Sequence, residues 1–262
     1  MNAVFTLNEK DLSQGIATYS SGNHAAAIAY AAGCRGTNAY IAMPYDAPPV
    51  KKAAVEGYGA KVKYCSPTQS SREEVLSEIL EETGAYFIHP YNDSRVISGQ
   101  GTAGLELLAE QPDIDTILVP VGGGGLMSGT VLAAKALKPG IKVIGVEPSA
   151  ADDAYRSLAA GKIIPIDNPA TIADGLKTSL GDLTFAIINK YADGIVTVTE
   201  EAIIKAMRMI WERMKIVIEP SAAVVFAALM TEGEKIDGSH LGLILSGGNA
   251  DLDRLPWMPV SS

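Results

Sequence analysis

The rhythm of this chain limits what it can fold into more than any other feature. Short apolar runs recur from end to end, at "IATYS" (16–20), "AYIAMP" (39–44), "KVKYC" (61–65), "AYFIHP" (85–90), "TILVPV" (116–121), "KVIGVEP" (142–148), "GIVTVT" (194–199) and "LGLILSGG" (241–248). Between them lie longer stretches with helical spacing, such as "SREEVLSEILEETG" (71–84) and "EEAIIKAMRMIWERM" (200–214). Strands separated by crossover-length helices build parallel sheets covered on both faces. The expected class is α/β, with two open, mostly parallel twisted sheets flanked by helices.

No Gly/Ser linker or repeat divides the chain. The turn-rich stretch "HPYNDSRVISGQG" (89–101) interrupts the pattern. It places a small domain over 15–91, with 1–14 and 92–262 forming a large one. A ligand cleft is expected between the small and the large domain, because α/β proteins bind at strand carboxyl ends and domain junctions.

Composition removes several function classes. The formal net charge of −9 would repel nucleic-acid phosphates, and no Lys/Arg run offsets it. The longest apolar run, "AAVVFAALM" (222–230), is far too short to cross a bilayer. "MNAVFTLNEKDL" has neither the basic nor the apolar region of a signal peptide. The expectation is a soluble cytoplasmic protein with neither nucleic acid nor membrane as partner. Cys34 and Cys65 are too few for a disulfide framework and read as reduced core thiols.

Three short motifs then carry chemistry, each at the end of an apolar run. In "PVGGGGLMSG" (120–129), Gly122, Gly123, Gly124 and Gly125 join a strand to an Ala-rich helix. Successive glycine N–H groups at a helix N-terminus form a cup for a phosphate. A tight turn without a ligand uses one or two glycines, and four in a row favour the phosphate. The pattern is neither G-x-G-x-x-G nor a P-loop. "SSGNHAAAIAYAA" (20–32) sets two hydroxyls, an amide and an imidazole at another helix start, suited to a carboxylate or equally to capping that helix. "LILSGGN" (243–249) ends a strand in a hydroxyl and two glycines.

In this order the three motifs resemble the β-family, or fold type II, of pyridoxal-phosphate enzymes, the group of serine racemases and serine/threonine dehydratases. The likeness extends through "VKKAAVEGYGAKV", "GQGTAGLELL", "IADGLKTS", "TVTEEAI" and "WERMKIVIEPSAA". "SSGNH" and "EPSAADD" bring it nearest to enzymes that racemise serine or dehydrate serine or 3-hydroxyaspartate. The resemblance implies that Gly122, Gly123, Gly124 and Gly125 hold the phosphate of pyridoxal 5'-phosphate. It puts Asn23 at the cofactor's phenolic oxygen and Ser246 at its ring nitrogen. Ser21 becomes the acid/base on the face opposite the family's lysine, which racemisation requires. Ser20, Asn23 and His24 would hold the substrate carboxylate, with Arg72 as a further contact or an ordinary helix-start arginine. In "EPSAADD" it implies a divalent cation (Mg, Mn or Ca) on Glu147, Asp153 and the Ala151 carbonyl, an oxygen-only set suited to hard ions. Asp152 and Asp153 would equally suit a helix start. His89 and His240 read as structural. The helix with Met207, Met209, Trp211 and Met214 reads as core or as the contact of a homodimer.

One departure qualifies this. The family's Schiff-base lysine lies in a Lys-x-Arg-Gly-Ala motif just before a segment like "NAVFTL", and the given residues start at Met1-Asn2-Ala3-Val4. Lys51, Lys52, Lys177 and Lys215 lie elsewhere in the pattern. Three expectations follow: an internal methionine of a longer enzyme, a fragment, or a non-catalytic pseudoenzyme that binds the cofactor or a metabolite. The intact remaining motifs favour the first.

Overall fold

The structure, a computed structural model, describes residues 1–167 and 169–258. The chain divides into two compact units, Met1–Gly99 and Gln100–Ser262. The first holds α1 (Asn2–Phe5), α2 (Glu9–Leu12), β1 (Ile16–Tyr19), α3 (Asn23–Cys34), β2 (Ala39–Pro44), α4 (Pro49–Gly57), β3 (Lys61–Cys65), α5 (Gln69–Thr83) and β4 (Tyr86–Phe87). Helix α6 (Ser94–Glu110) straddles the division. The second unit continues with β5 (Thr116–Pro120), α7 (Gly125–Leu137), β6 (Lys142–Pro148), α8 (Asp153–Ala160), α9 (Asp182–Tyr191), β7 (Gly194–Val198), α10 (Glu200–Met214), α11 (Pro220–Glu232) and β8 (Leu241–Leu243).

Each unit has one four-stranded sheet, ordered β3-β2-β1-β4 in the first and β7-β6-β5-β8 in the second. Every pairing is parallel. In both, the first strand in sequence lies inside the sheet. The next two strands are laid down on one side of it and the last returns to the other side. The order therefore reverses at β1 and at β5. Loops that leave such a reversal point do not cover the strand end, which is where α/β sheets bind ligands.

Local chemistry explains the elements. All five residues of β5 are buried, the mark of a parallel strand covered on both faces. The edge strand β3 instead exposes Lys61, and Lys63 there pairs with Glu78 and Glu82 of α5. Charged lysines on an edge discourage pairing with another chain. Helix α5 starts at Thr68, whose hydroxyl accepts from the Ser71 amide at 3.3 Å, and stops at left-handed Gly84. Helix α10 starts likewise at Thr199 and buries Ala202, Ile203, Ala206, Met207 and Ile210 along one face. Met207 is thus core, Trp211 ties its indole N–H to the Ile218 carbonyl at 2.9 Å, and Met214 is exposed.

The margins of the first unit are tied into its core. In the structure Ala3, Val4, Leu7, Leu12 and Val96 share a core with Ile16, Ile28, Ile41 and Ile88 of the first unit. Cys65 is buried, and burial pushes its thiol pKa up, whereas Cys34 is exposed rather than a core thiol. Among the described residues no helix is long and apolar enough to cross a membrane.

Candidate active site

The tetraglycine turn leaves β5 at its carboxyl end and is buried throughout. Gly124 has φ +86, a left-handed conformation that glycine adopts without cost. A Cβ there would lie 2.7 Å from Leu180, 2.9 Å from Ile188 and 2.9 Å from Thr184. On Gly122 it would lie 2.9 Å from the Leu176 Cα and 3.0 Å from the Gly175 carbonyl oxygen. At these two positions the protein's own packing already demands glycine, whatever the turn binds. Thr184 donates to the Gly123 carbonyl at 2.8 Å and accepts from the Gly181 amide at 2.9 Å, so α9 braces the turn from behind. No side chain caps the start of α7. Its first-turn N–H groups keep their donor capacity for an anion.

The second turn leaves β1, which is equally central in its own sheet. Ser20 and Ser21 are half-buried and Asn23 is exposed. The Gly22 amide donates to Ser20 Oγ at 3.2 Å, and the Gly22 carbonyl accepts from Ala26 at 3.1 Å. Again no side chain caps the helix that follows. The turn therefore offers uncapped N–H groups together with two hydroxyls and an amide. His24 Nε2 is buried with no hydrogen-bond partner, while the ring is bonded to the Ile88 carbonyl. Burial pushes its pKa down to about 4, so the imidazole is neutral at physiological pH. The ring therefore brings no positive charge to this helix start.

Arg72, in the first turn of α5, keeps its Nε buried and unpartnered. Its charge acts on Tyr19, the residue before Ser20. Tyr19 is held in turn by His89, which sequence spacing left without a partner. His89 Nδ1 accepts from the Asn92 amide at 2.9 Å and the Tyr91 amide at 3.3 Å. Its proton therefore sits on Nε2 and is donated to the Tyr19 hydroxyl at 3.0 Å. Burial holds His89 below its ordinary pKa, which keeps this tautomer.

Ser246 is exposed in the loop after β8, beside β5 in the sheet. That loop is clamped by the preceding segment: the Glu219 amide donates to Gly247 at 3.0 Å, and a Cβ on Gly248 would come 2.6 Å from the Val217 carbonyl oxygen.

Glu147 and Asp153 are fully buried at the end of β6 and the start of α8. Glu147 accepts from the Ala154 amide at 3.1 Å and the Tyr155 amide at 2.9 Å. Neither Asp153 carboxylate oxygen meets a hydrogen-bond partner. The backbone N–H groups of Leu180 and of Asp153 itself are near enough to favour its charged form, against the burial. Burial, and for Glu147 next the charge of Asp153, push their pKa values up to about 8 and about 7. Ala151 is buried in the 3₁₀ turn Ser149–Ala151 that joins the two. Among the described residues no cluster of three His, Cys, Asp or Glu side chains could hold a metal. Two acids and a backbone carbonyl remain as a donor set, and the orphaned oxygens of Asp153 fit a hard cation.

A family model described as pyridoxal-phosphate dependent enzyme matches residues 1–247. Over 256 residues the chain is 46% identical to a β-hydroxyaspartate dehydratase of Paracoccus denitrificans, spanning 98% of this chain and 81% of that protein. It is 48% identical over 258 residues to a serine racemase of Dictyostelium discoideum, spanning 97% and 80%. The solved structure of maize serine racemase matches with a TM-score of 0.94 at 46% identity, covering 96% of this chain and 78% of that one.

Proposed function

We propose that this chain, which belongs to the pyridoxal-phosphate-dependent enzyme family, dehydrates or racemises a small hydroxy amino acid such as serine, threonine or 3-hydroxyaspartate. Dehydration gives a 2-oxo acid and ammonia. One observation carries the proposal. The two motifs sit after β1 and β5, the strands at which both sheets reverse their order, and each opens a helix that no side chain caps.

Pyridoxal phosphate, when bound, supplies the electron sink that makes the substrate Cα–H acidic. Gly122, Gly123, Gly124 and Gly125 would hold its phosphate through backbone N–H groups at the start of α7. Asn23 would serve its phenolic oxygen and the Ser246 hydroxyl its ring nitrogen. The α3 first turn orients the substrate carboxylate with Ser20, Asn23 and the His24 N–H. Arg72 gives an acidic side chain, as in 3-hydroxyaspartate, a second anchor. Ser21 Oγ takes or returns a proton on one face of Cα. Glu147, Asp153 and the Ala151 carbonyl hold a divalent cation (Mg, Mn or Ca) that stabilises the second unit. The reading extends to a cytoplasmic homodimer, in which a second copy would cover exposed Met214, Ile216 and Val217.

The test is Ser21→Ala, made in a chain that carries the family's Lys-x-Arg-Gly-Ala segment, with pyridoxal phosphate and L-serine. Cofactor titration should match the parent, formation of D-serine should be lost, and release of ammonia and 2-oxo acid should survive in part. A variant that racemises at the parent rate removes Ser21 from the chemistry. A parent chain that binds no pyridoxal phosphate refutes the function.

A further inference from the structure

Lys51 and Lys52 are neighbours in the first turn of α4 with opposite surroundings. Lys52 is half-exposed, donates to the Tyr45 carbonyl at 2.5 Å and lies 5.5 Å from the Tyr64 ring centre. Lys51 is only 3% exposed. A lysine is seldom buried, because its ammonium loses water and its long stem loses rotamer freedom. Such a residue persists where its neighbours make use of it. Here the neighbour is the turn after β1. A Cβ on Gly22 would lie 2.9 Å from Lys51 Cδ, 3.3 Å from Nζ and 3.5 Å from Cε. The stem thus lies flat on the Gly22 backbone, and the ammonium is held at the start of α3, beside the two serines. Gly22 is what admits it, since any side chain would occupy the same space.

The turn needs such backing. Its internal ties are the Gly22 amide to Ser20 Oγ at 3.2 Å and the Ala26 amide to the Gly22 carbonyl at 3.1 Å. No side chain caps the helix behind it. We propose that Lys51 is a positioning residue: it braces the turn at Gly22 so that Ser20, Ser21 and the first N–H groups of α3 are held in the shape that receives the substrate carboxylate. The proposal rests on the reading of that turn as the carboxylate site. Lys51 acts through the backbone of the turn, and the phosphate cup is not involved.

The experiment uses the whole chain with pyridoxal phosphate and compares binding of L-serine with that of L-serinamide, which lacks the carboxylate. The parent should prefer L-serine. Lys51→Met should weaken L-serine binding about tenfold or more and erase the preference over the amide. Affinity for pyridoxal phosphate should stay within about twofold, and hydrogen exchange should quicken at the 20–26 amides, with α7 unchanged. Lys51→Arg should restore part of the preference. Gly22→Ala, which displaces the lysine, should weaken L-serine binding in the parent and much less in a Lys51→Ala background, a coupling that a remote structural effect would not show. Retention of the preference in Lys51→Met, or equal loss of cofactor, serine and amide binding, overturns the proposal. A parent that does not distinguish serine from its amide removes the carboxylate site itself, a failure separate from that of Lys51.

Discussion

The turn after β1 and the turn after β5 occupy the same place in two sheets of the same winding, yet they are built from opposite materials. The β5 turn is buried glycine, locked from outside by Leu176, Leu180, Thr184 and Ile188. The β1 turn presents serine hydroxyls and an asparagine, and is backed by one lysine stem. Topology selects the location in both cases. On the proposed function, the β5 turn would cradle a phosphate with backbone alone and the β1 turn would also move a proton. A rigid cup would suit a cofactor that stays, and a softer polar turn a substrate that comes and goes.

The contrast is open to attack first at the glycines. Gly124→Val should destabilise the protein by about 3 kcal/mol or more, because it adds left-handed strain to overlap with three packed side chains. It should abolish pyridoxal-phosphate binding as well. Gly22→Ala meets only the lysine stem, and its cost should stay within about 1 kcal/mol. Thermal melts of the two variants measure this, and equal losses would erase the distinction between locked and soft turns.

The next largest effect belongs to the glycine side. A cation that binds Glu147 and Asp153 only in the native state should stabilise by about 2.7 kcal/mol at a hundredfold excess over its Kd. Melting temperature should rise with Mg, Mn or Ca and fall back with a chelator, and Asp153→Asn should make it insensitive. Identical melts in all three metals would reduce the two acids to a buried helix-start arrangement.

The smallest effect belongs to the polar side. His24 is neutral in the fold with a pKa near 4, below its unfolded value, so the unfolded chain takes up the proton first on acidification. Stability from this group is complete above about pH 6.5, is down by about 1 kcal/mol at pH 6, and is lost as pH falls towards 4. His89, also depressed by burial, adds in the same direction. A denaturation series from pH 7.5 to pH 5 should therefore be flatter for His24→Gln. Parallel curves for parent and variant would break the assignment.

Much of this architecture is legible in the residues. The bounds of β2 and β6 match their apolar runs to the residue, because strands inside parallel sheets read as uninterrupted apolar stretches, and the edge strand β3 matches its run as well. β4 and β8 are shorter than their runs. Registered pairing ends at Phe87 and Leu243, one further backbone bond follows each (Ile88 to Ala17 at 3.0 Å, Ile244 to Leu118 at 3.1 Å), and beyond these His89, Val217 and Glu219 meet the chain. The three motifs are legible as strand-end turns. Their supports are not. Lys51 against Gly22, Thr184 against Gly123 and His89 against Tyr19 join residues far apart in sequence, and no spacing encodes those contacts. The role of α1 and α2 in the first core escaped for a similar reason, since four-residue helices are too short to show a period.

The returning strand has a consequence for how the chain is made. β1 gains its second neighbour from Tyr86–Phe87, so the first sheet can close early in synthesis. β5 waits for Leu241–Leu243, almost the whole length of the second unit, before its far side is covered. Until then the strand that carries the tetraglycine turn has an open flank on the ribosome. The interval between those two closures is when a nascent chain of this kind is most exposed to mispairing and most in need of a chaperone.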